Sequence, residues 1–257
     1  MVQEQVDYDQ IAHTYDRRYG AQGYEGVAST VLSLARSGAA HSVLEVGCGT
    51  GHWLAQLRGV CPEVYGLDLS LAMLRQAEQK QQPFLVTGQA DRLPFVEASF
   101  DFVFCVSAFH HFADKREFLS QARRSLRSGG RLAIIGMDPH RADHTWSLYD
   151  YFEGTRQADL ARYPSAHKIE TWMREAGFVE VESGIAEQMR HSLSGRGILE
   201  SPFLEKEGTS QLALLSDEVY QSGLERLKVD VRRAEKTGKP LEFQVHITLT
   251  LVTGSAP

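Results

Sequence analysis

Cysteine is scarce: Cys48, Cys61 and Cys105 are the only three in 257 residues, and no two of them form a CxxC pair. That excludes a disulfide framework and a thiolate metal site, and leaves reduced, buried thiols as the expectation. No apolar run approaches the ~18 residues that a membrane-spanning helix needs. Residues 1–5 are polar, unlike the apolar core of a signal region, so the expected location is cytoplasmic. Internal repeats and low-complexity tracts are absent as well. Positive charge is not in surplus either, because 27 basic and 33 acidic residues leave a net charge of −6. This argues against a nucleic-acid surface as the main business of the fold. The bases do concentrate at Arg226, Lys228, Arg232, Arg233, Lys236 and Lys239. Glu225, Asp230 and Glu235 interrupt them, and Val219, Leu224, Leu227 and Val231 recur at helical spacing, which reads as a helix with one packed and one solvated face.

What is present is apolar enough, at 42% hydrophobic residues, to bury one substantial core plus an appendage. Residues 43–51 read Val43-Leu44-Glu45-Val46-Gly47-Cys48-Gly49-Thr50-Gly51, an apolar strand with an acid near its end and glycine at every second position of the turn. Helix-like residues 52–57 follow. Strand, glycine turn and helix in that order build a nucleotide-type cofactor cleft at the carboxyl end of a parallel sheet. Glycine relieves the abrupt turn and lets a ligand approach the backbone. A second strand, Val64-Tyr65-Gly66-Leu67-Asp68, ends in an acid 23 residues after Glu45 (68 − 45), close to the ~20 expected for a carboxylate that receives ribose hydroxyls. Ser70 then reads as the N-cap of a helix carrying Leu71, Met73, Leu74 and Ala77. A dinucleotide-binding turn would require glycine at 52, where His52 stands, so a nucleotide-dependent oxidoreductase is the disfavoured rival. With Glu45 ahead of the glycines, the site suits a ligand without phosphate but with a cationic end, and S-adenosylmethionine meets that description.

Helical stretches are expected at 7–19 and 23–37, and strands at 42–46, 63–67, 83–87, 100–106 and 131–137. The helix at 114–126 places Phe118, Leu119, Ala122 and Leu126 on one face and ends at Gly129-Gly130. The alternation implies an α/β fold, a parallel sheet with helices on both faces. After a polar stretch at 138–164, a helix at 166–176 leads to a strand at 178–184, and a last strand falls at 243–252. Residues 192–240 are far too long for an ordinary connection. They read as a mainly helical cap inserted before the last strand of a domain made of 1–191 and 241–257, or alternatively as an oligomerisation element of a homodimer.

Several ordered segments carry a family resemblance. They are Asp9-Gln10-Ile11-Ala12-His13-Thr14-Tyr15-Asp16, the glycine turn, Gly66-Leu67-Asp68-Leu69-Ser70, Gly88-Gln89-Ala90-Asp91-Arg92-Leu93-Pro94-Phe95, Ser99-Phe100-Asp101-Phe102-Val103 and Phe109-His110-His111-Phe112-Ala113-Asp114. Across 8–137 the chain resembles the class I S-adenosylmethionine-dependent methyltransferases of the ubiquinone-biosynthesis-like (methyltransferase type-11) kind. The resemblance implies a doubly wound, Rossmann-like, mostly parallel sheet with an antiparallel last strand. It implies that the backbone of Gly47, Cys48, Gly49 and Gly51 contacts the methionine part, with Glu45 supporting its amino group. Asp68 would take the ribose hydroxyls, and Leu69 and Met73 would line the adenine pocket. Ala90 N–H would meet a ring nitrogen, while Tyr15 and Val106 would complete the cofactor pocket. An acid is usual where Gln89 stands; its neutral oxygen still accepts from the exocyclic amine, and Asp91 ranks second for that role.

Methyl transfer asks the protein to place the acceptor, exclude water and remove a proton where the acceptor needs it. His110, just beyond the fourth strand, is the candidate base, with His111 beside it. Tyr15, His110, Trp146, Tyr149, Tyr151, Phe152 and the cap are expected to assemble the pocket of a small-molecule acceptor. A tRNA or protein acceptor, or a cofactor-binding homologue without turnover, is the alternative.

Overall fold

The computed structural model describes residues 6–17, 19, 24–80 and 84–257. The polar residues 1–5, and residues 18, 23 and 83 of the expected elements, lie outside the described residues.

Helix α1 (Tyr8–Ile11) is one turn, capped by the Asp7 side chain; of the longer helix expected, 12–16 are turns and residues 17 and 19 are again helical. Helix α2 (Glu25–Ser37) buries Val27, Val31 and Ala35, one face at four-residue spacing. Strand β1 (Ser42–Val46) is buried at every position, as a central strand covered on both faces must be. Then come α3 (His52–Leu57), β2 (Glu63–Asp68), α4 (Leu71–Gln79), β3 (Phe84–Thr87) and β4 (Phe100–Val106). The Ser70 hydroxyl caps α4 by accepting from Met73 N at 3.1 Å. Helix α5 (Lys115–Ser125) starts on the Asp114 carboxylate and buries Phe118, Leu119 and Ala122. It stops before the glycines expected to end it, because β5 (Leu126–Met137) already begins at Leu126. The register against β4 slips between Phe100 and Phe102, and Gly129, at φ 77°, takes up the irregularity.

Strands β3-β2-β1-β4-β5 are parallel in that order, and β8 (Glu242–Ser255) adds antiparallel to β5. Strand β7 (Val179–Ser194) pairs antiparallel with the other edge of β8 and runs ten residues past its expected end, from 184 to 194. Strand β5 pairs only with 249–255, so the β7–β8 ribbon continues beyond the sheet, where β6 (Thr145–Trp146) joins it at Val245 and His246. The polar stretch after β5 also folds, into β6, α6 (Leu148–Tyr151) and α7 (Thr155–Arg162), ahead of α8 (Ala166–Glu175).

Between β7 and β8 lie two single 3-10 turns, Gly195–Ile198 and Pro202–Leu204, then α9 (Ser210–Ala213) and α10 (Asp217–Lys236). Residues 192–194, expected in the insertion, are strand. Helix α10 buries Tyr220, Gly223, Leu227 and Val231 and turns Arg226, Arg232, Arg233 and Lys236 outward, the two-faced helix that the spacing implied. Gly223 permits its close approach to α6: a Cβ there would lie 2.6 Å from the Phe152 ring. The three cysteines are free and buried. Among the described residues no helix is long and apolar enough to cross a membrane.

Candidate functional site

The turn after β1 places all three of its alternate glycines in the left-handed region, with φ of 74° at Gly47, 52° at Gly49 and 74° at Gly51. A side chain at Gly47 would also bring its Cβ to 2.5 Å from that of Ala108. The turn is stitched to the end of β2. Gly47 N and Cys48 N donate to Leu67 O at 2.7 and 3.0 Å, and Gly49 N donates to Asp68 Oδ2 at 2.7 Å. Ser70 N donates to Asp68 Oδ1 at 2.9 Å. Burial raises the Asp68 carboxyl above its ordinary range, although these amide donors oppose the shift.

Glu45 lies beneath the turn, 1% exposed, and its Oε2 has no hydrogen-bond partner among the described residues. Burial first, and the charge of Asp68 second, hold its carboxyl well above the usual range. The Cys48 thiol is pushed up for the same reasons, burial leading and Glu45 next. Gly88 N donates to Asp68 O at 3.0 Å and brings the following turn to the same edge, with Gln89 exposed and Ala90 and Asp91 half-buried. Leu69 is 66% exposed beside Asp68, whereas Met73 is packed against Ile11 and Ala12, and Val106 is buried.

The N-terminal segment is tied across this cleft. Asp16 accepts from Thr50 Oγ1 at 2.5 Å and pairs with Lys80 Nζ at 2.5 Å, and Asp9 accepts from Ser70 Oγ at 2.5 Å. The Tyr15 ring stands 3.8 Å from where a Cβ on Gly49 would be.

A second cavity opens at the carboxyl ends of β4 and β5. Ser107, at φ 51°, turns the chain into the 3-10 turn Phe109–His111, which sets both histidines into the cavity wall. His110 Nε2 and Tyr163 Oη are 2.8 Å apart, their rings stacked with centroids 3.9 Å apart. His111 Nε2 lies 2.6 Å from Tyr8 Oη. Of the aromatics expected here, only His110 and Trp146 line this cavity. Tyr15 faces a separate crevice against Pro202 and Phe203. Tyr149 donates to Asp159, Tyr151 donates to Asp230 and Phe152 is fully buried beside Tyr220. A single-turn helix projects its side chains in all directions: Leu148 lines the cavity, while Tyr149, Tyr151 and the following Phe152 are taken up by α7 and α10. Tyr8, Tyr24, Tyr163, Met189 and Phe243 supply the wall instead. The alternation of Phe243, Val245, Ile247 and Leu249, all lining, was the one available signal for part of it.

Behind the wall sits a buried polar network. Asp159, 0% exposed, accepts from Tyr149 Oη at 2.8 Å, from Arg162 at 2.8 Å and from Gln211 Nε2 at 3.0 Å. It joins α7 to α9. Burial raises its carboxyl, against the pull of Arg162. Burial, then the charge of Asp159, pushes the Tyr163 phenol up, so its hydroxyl keeps its proton at neutral pH.

A family model described as a methyltransferase domain matches residues 44–134. The chain is 33% identical over 153 residues to the demethylmenaquinone methyltransferase of Thermotoga maritima, covering 56% of this chain and 66% of that one. It is also 33% identical over 191 residues to the malonyl-[acyl-carrier protein] O-methyltransferase of Hahella chejuensis, covering 72% and 64%. The chain thus spans somewhat under two thirds of the length of these curated relatives. A solved structure of a putative methyltransferase from an antibiotic biosynthesis pathway of Anabaena variabilis superposes with a TM-score of 0.63. It covers 83% of this chain and 90% of that one, and at 22% identity the likeness is one of fold.

Proposed function

The chain belongs to the class I S-adenosylmethionine-dependent methyltransferases, and from that premise we propose that it methylates a small-molecule acceptor held in the cavity beside His110. The observation that carries this reading is the contact between the two sites. The glycine turn packs on Ala108 so closely that a Cβ at Gly47 would lie 2.5 Å away, and the neighbouring Ser107 lines the acceptor cavity. Titration calorimetry is the test: S-adenosylhomocysteine should give binding heat and NAD none, and heat from NAD alone would overturn the reading.

The cradle suits this cofactor. A buried carboxylate with an unpartnered oxygen, Glu45, fits an ammonium group, and a glycine turn leading to an α-helix without a G-x-G-x-x-G spacing fits a ligand lacking pyrophosphate. S-adenosylmethionine, when bound, supplies a methyl group already activated on a sulfonium. Glu45 and the backbone of Gly47, Cys48, Gly49 and Gly51 hold the methionine part, and Asp68 receives the ribose hydroxyls on lone pairs that Gly49 and Ser70 leave open. Leu69, Met73 and Val106 bound the adenine side, Gln89 accepts from the exocyclic amine with Asp91 second, and Ala90 donates to the ring. Tyr15 closes the cleft from the N-terminal segment. His110 takes the acceptor proton, with Tyr163 fixing its ring. Residues 195–241 shut the acceptor cavity from water. The net charge of −6 favours a small acceptor over tRNA, and the protein works in the cytoplasm; a homodimer contact is the alternative task for the insertion.

A further inference from the structure

We propose that the acceptor is a neutral, flat, largely apolar molecule bearing an ionisable hydroxyl, a phenol or an enol, and that the pocket rejects acceptors with a fixed charge. This rests on the methyltransferase reading above and narrows its substrate class.

The wall composition carries the inference. Among the described residues that line the cavity there is no Asp, Glu, Lys or Arg. Tyr24, Trp146, Phe203 and Phe243 contribute broad apolar faces, and the polar groups are hydroxyls and amides such as Thr209 and Gln211 together with three imidazoles, His110, His111 and His191. Behind the wall the buried Asp159 is paired with Arg162 at 2.8 Å. A carboxylate or ammonium entering this cavity would lose its hydration without meeting a permanently charged side chain among the described lining residues, and that loss is large in an apolar surround.

Acceptor chemistry then selects within the neutral class. An aliphatic amine arrives protonated and a carboxylic acid arrives ionised, so both bring a charge to the door. A phenol or enol arrives neutral and becomes nucleophilic only when its proton is removed inside the site. His110 stands in the wall to receive that proton on Nδ1, in the tautomer whose Nε2–H donates to Tyr163 Oη. Flat aromatic walls favour a flat ring system through stacked and edge contacts.

Three probes with one ring system test this: β-naphthol, β-naphthoate and β-naphthylmethylamine, titrated by calorimetry into protein saturated with S-adenosylhomocysteine at about pH 7.5, where an ordinary histidine is neutral. β-Naphthol should bind at least tenfold more tightly than either charged probe. Ser201→Lys, on the half-exposed part of the wall, adds one cation and should move the ratio of naphthoate to naphthol affinity by at least tenfold. S-adenosylhomocysteine affinity should stay unchanged, and it reports whether the variant is folded. Val245→Arg places the same charge deeper and serves as the second variant. Tighter binding of naphthoate or of the amine to the parent protein, or no binding of naphthol, overturns the inference while leaving the methyltransferase reading intact. Absence of S-adenosylhomocysteine binding overturns that reading itself.

Discussion

Tyr163 Oη sits 2.8 Å from His110 Nε2 with the two rings stacked, and the tyrosine is the residue that ends α7. The candidate base in the β4–α5 connection is therefore oriented by an element some fifty residues later. His110→Ala should lower turnover by about 10²–10⁴-fold with little change in S-adenosylhomocysteine affinity. Tyr163→Phe keeps the stacking and should cost less. In the parent, turnover should climb with pH as a histidine base loses its proton, and that rise should vanish in His110→Ala. Steady-state kinetics over a pH series check both, and intact turnover in His110→Ala would reduce the residue to a pocket wall.

Asp68 has two tasks, because it accepts from Gly49 N and Ser70 N in addition to its proposed ribose contact. Asp68→Ala removes charge-assisted hydrogen bonds worth about 1.5–3 kcal/mol each. S-adenosylhomocysteine affinity should fall at least tenfold, and the thermal midpoint should drop as the glycine turn loses an anchor. A dissociation constant equal to the parent's sinks the ribose assignment.

Glu45 is held in a state that opposes its own ionisation. Its folded pKa is raised above the ordinary 4.5, by burial and then by Asp68. For a raised acid, the stability contributed is complete below the unfolded value and is lost as pH rises through the folded one. Glu45→Gln should accordingly raise the melting midpoint of the ligand-free protein at neutral pH, by about 2–4 °C for each kcal/mol recovered. It should also weaken S-adenosylhomocysteine binding, since the ligand's ammonium loses its partner. Scanning calorimetry with and without ligand separates the two effects; a variant that melts lower and binds equally well contradicts both.

Asp159 ties α7 to the insertion through Gln211, which itself lines the cavity, and pairs with Arg162 of its own helix. Asp159→Ala leaves the partly buried Arg162 guanidinium without its carboxylate and should destabilise the protein by about 3–5 kcal/mol. Hydrogen exchange across 195–241 should accelerate first in this variant, and in the parent it should slow when ligands bind, as expected of a closing element. Slow, ligand-insensitive exchange in the parent would favour the oligomerisation role for 192–240.

The glycine turn and the acids beside it were legible because their determinants are local. Three alternate glycines permit a left-handed turn that side chains would strain, and an acid at or next to the end of each flanking strand is a short-range fact. The strands from β1 through Met137 were legible too, since β4 is apolar at six of its seven positions and β1 at three of five, while α5 has a four-residue stripe. The extent of β7 was not, because most of its side chains are exposed and the alternation of Met189, His191 and Leu193 is short and only partly apolar; pairing with β8 holds it. The aromatic trio of α6 carried a misleading signal, for close spacing says that side chains diverge but not which of them meets a cavity.

The sequence by itself determined the family, the cofactor type and the acids around the glycine turn, because each depends on neighbours within one strand, turn or helix. Tertiary structure alone decided the wall of the cavity beside His110. Tyr8, His110, Tyr163, Met189 and Phe243 come from five separate parts of the chain and meet only where the β7–β8 ribbon rises past the sheet. Which face of each element looks inward is set by what packs against it, and no local pattern holds that information.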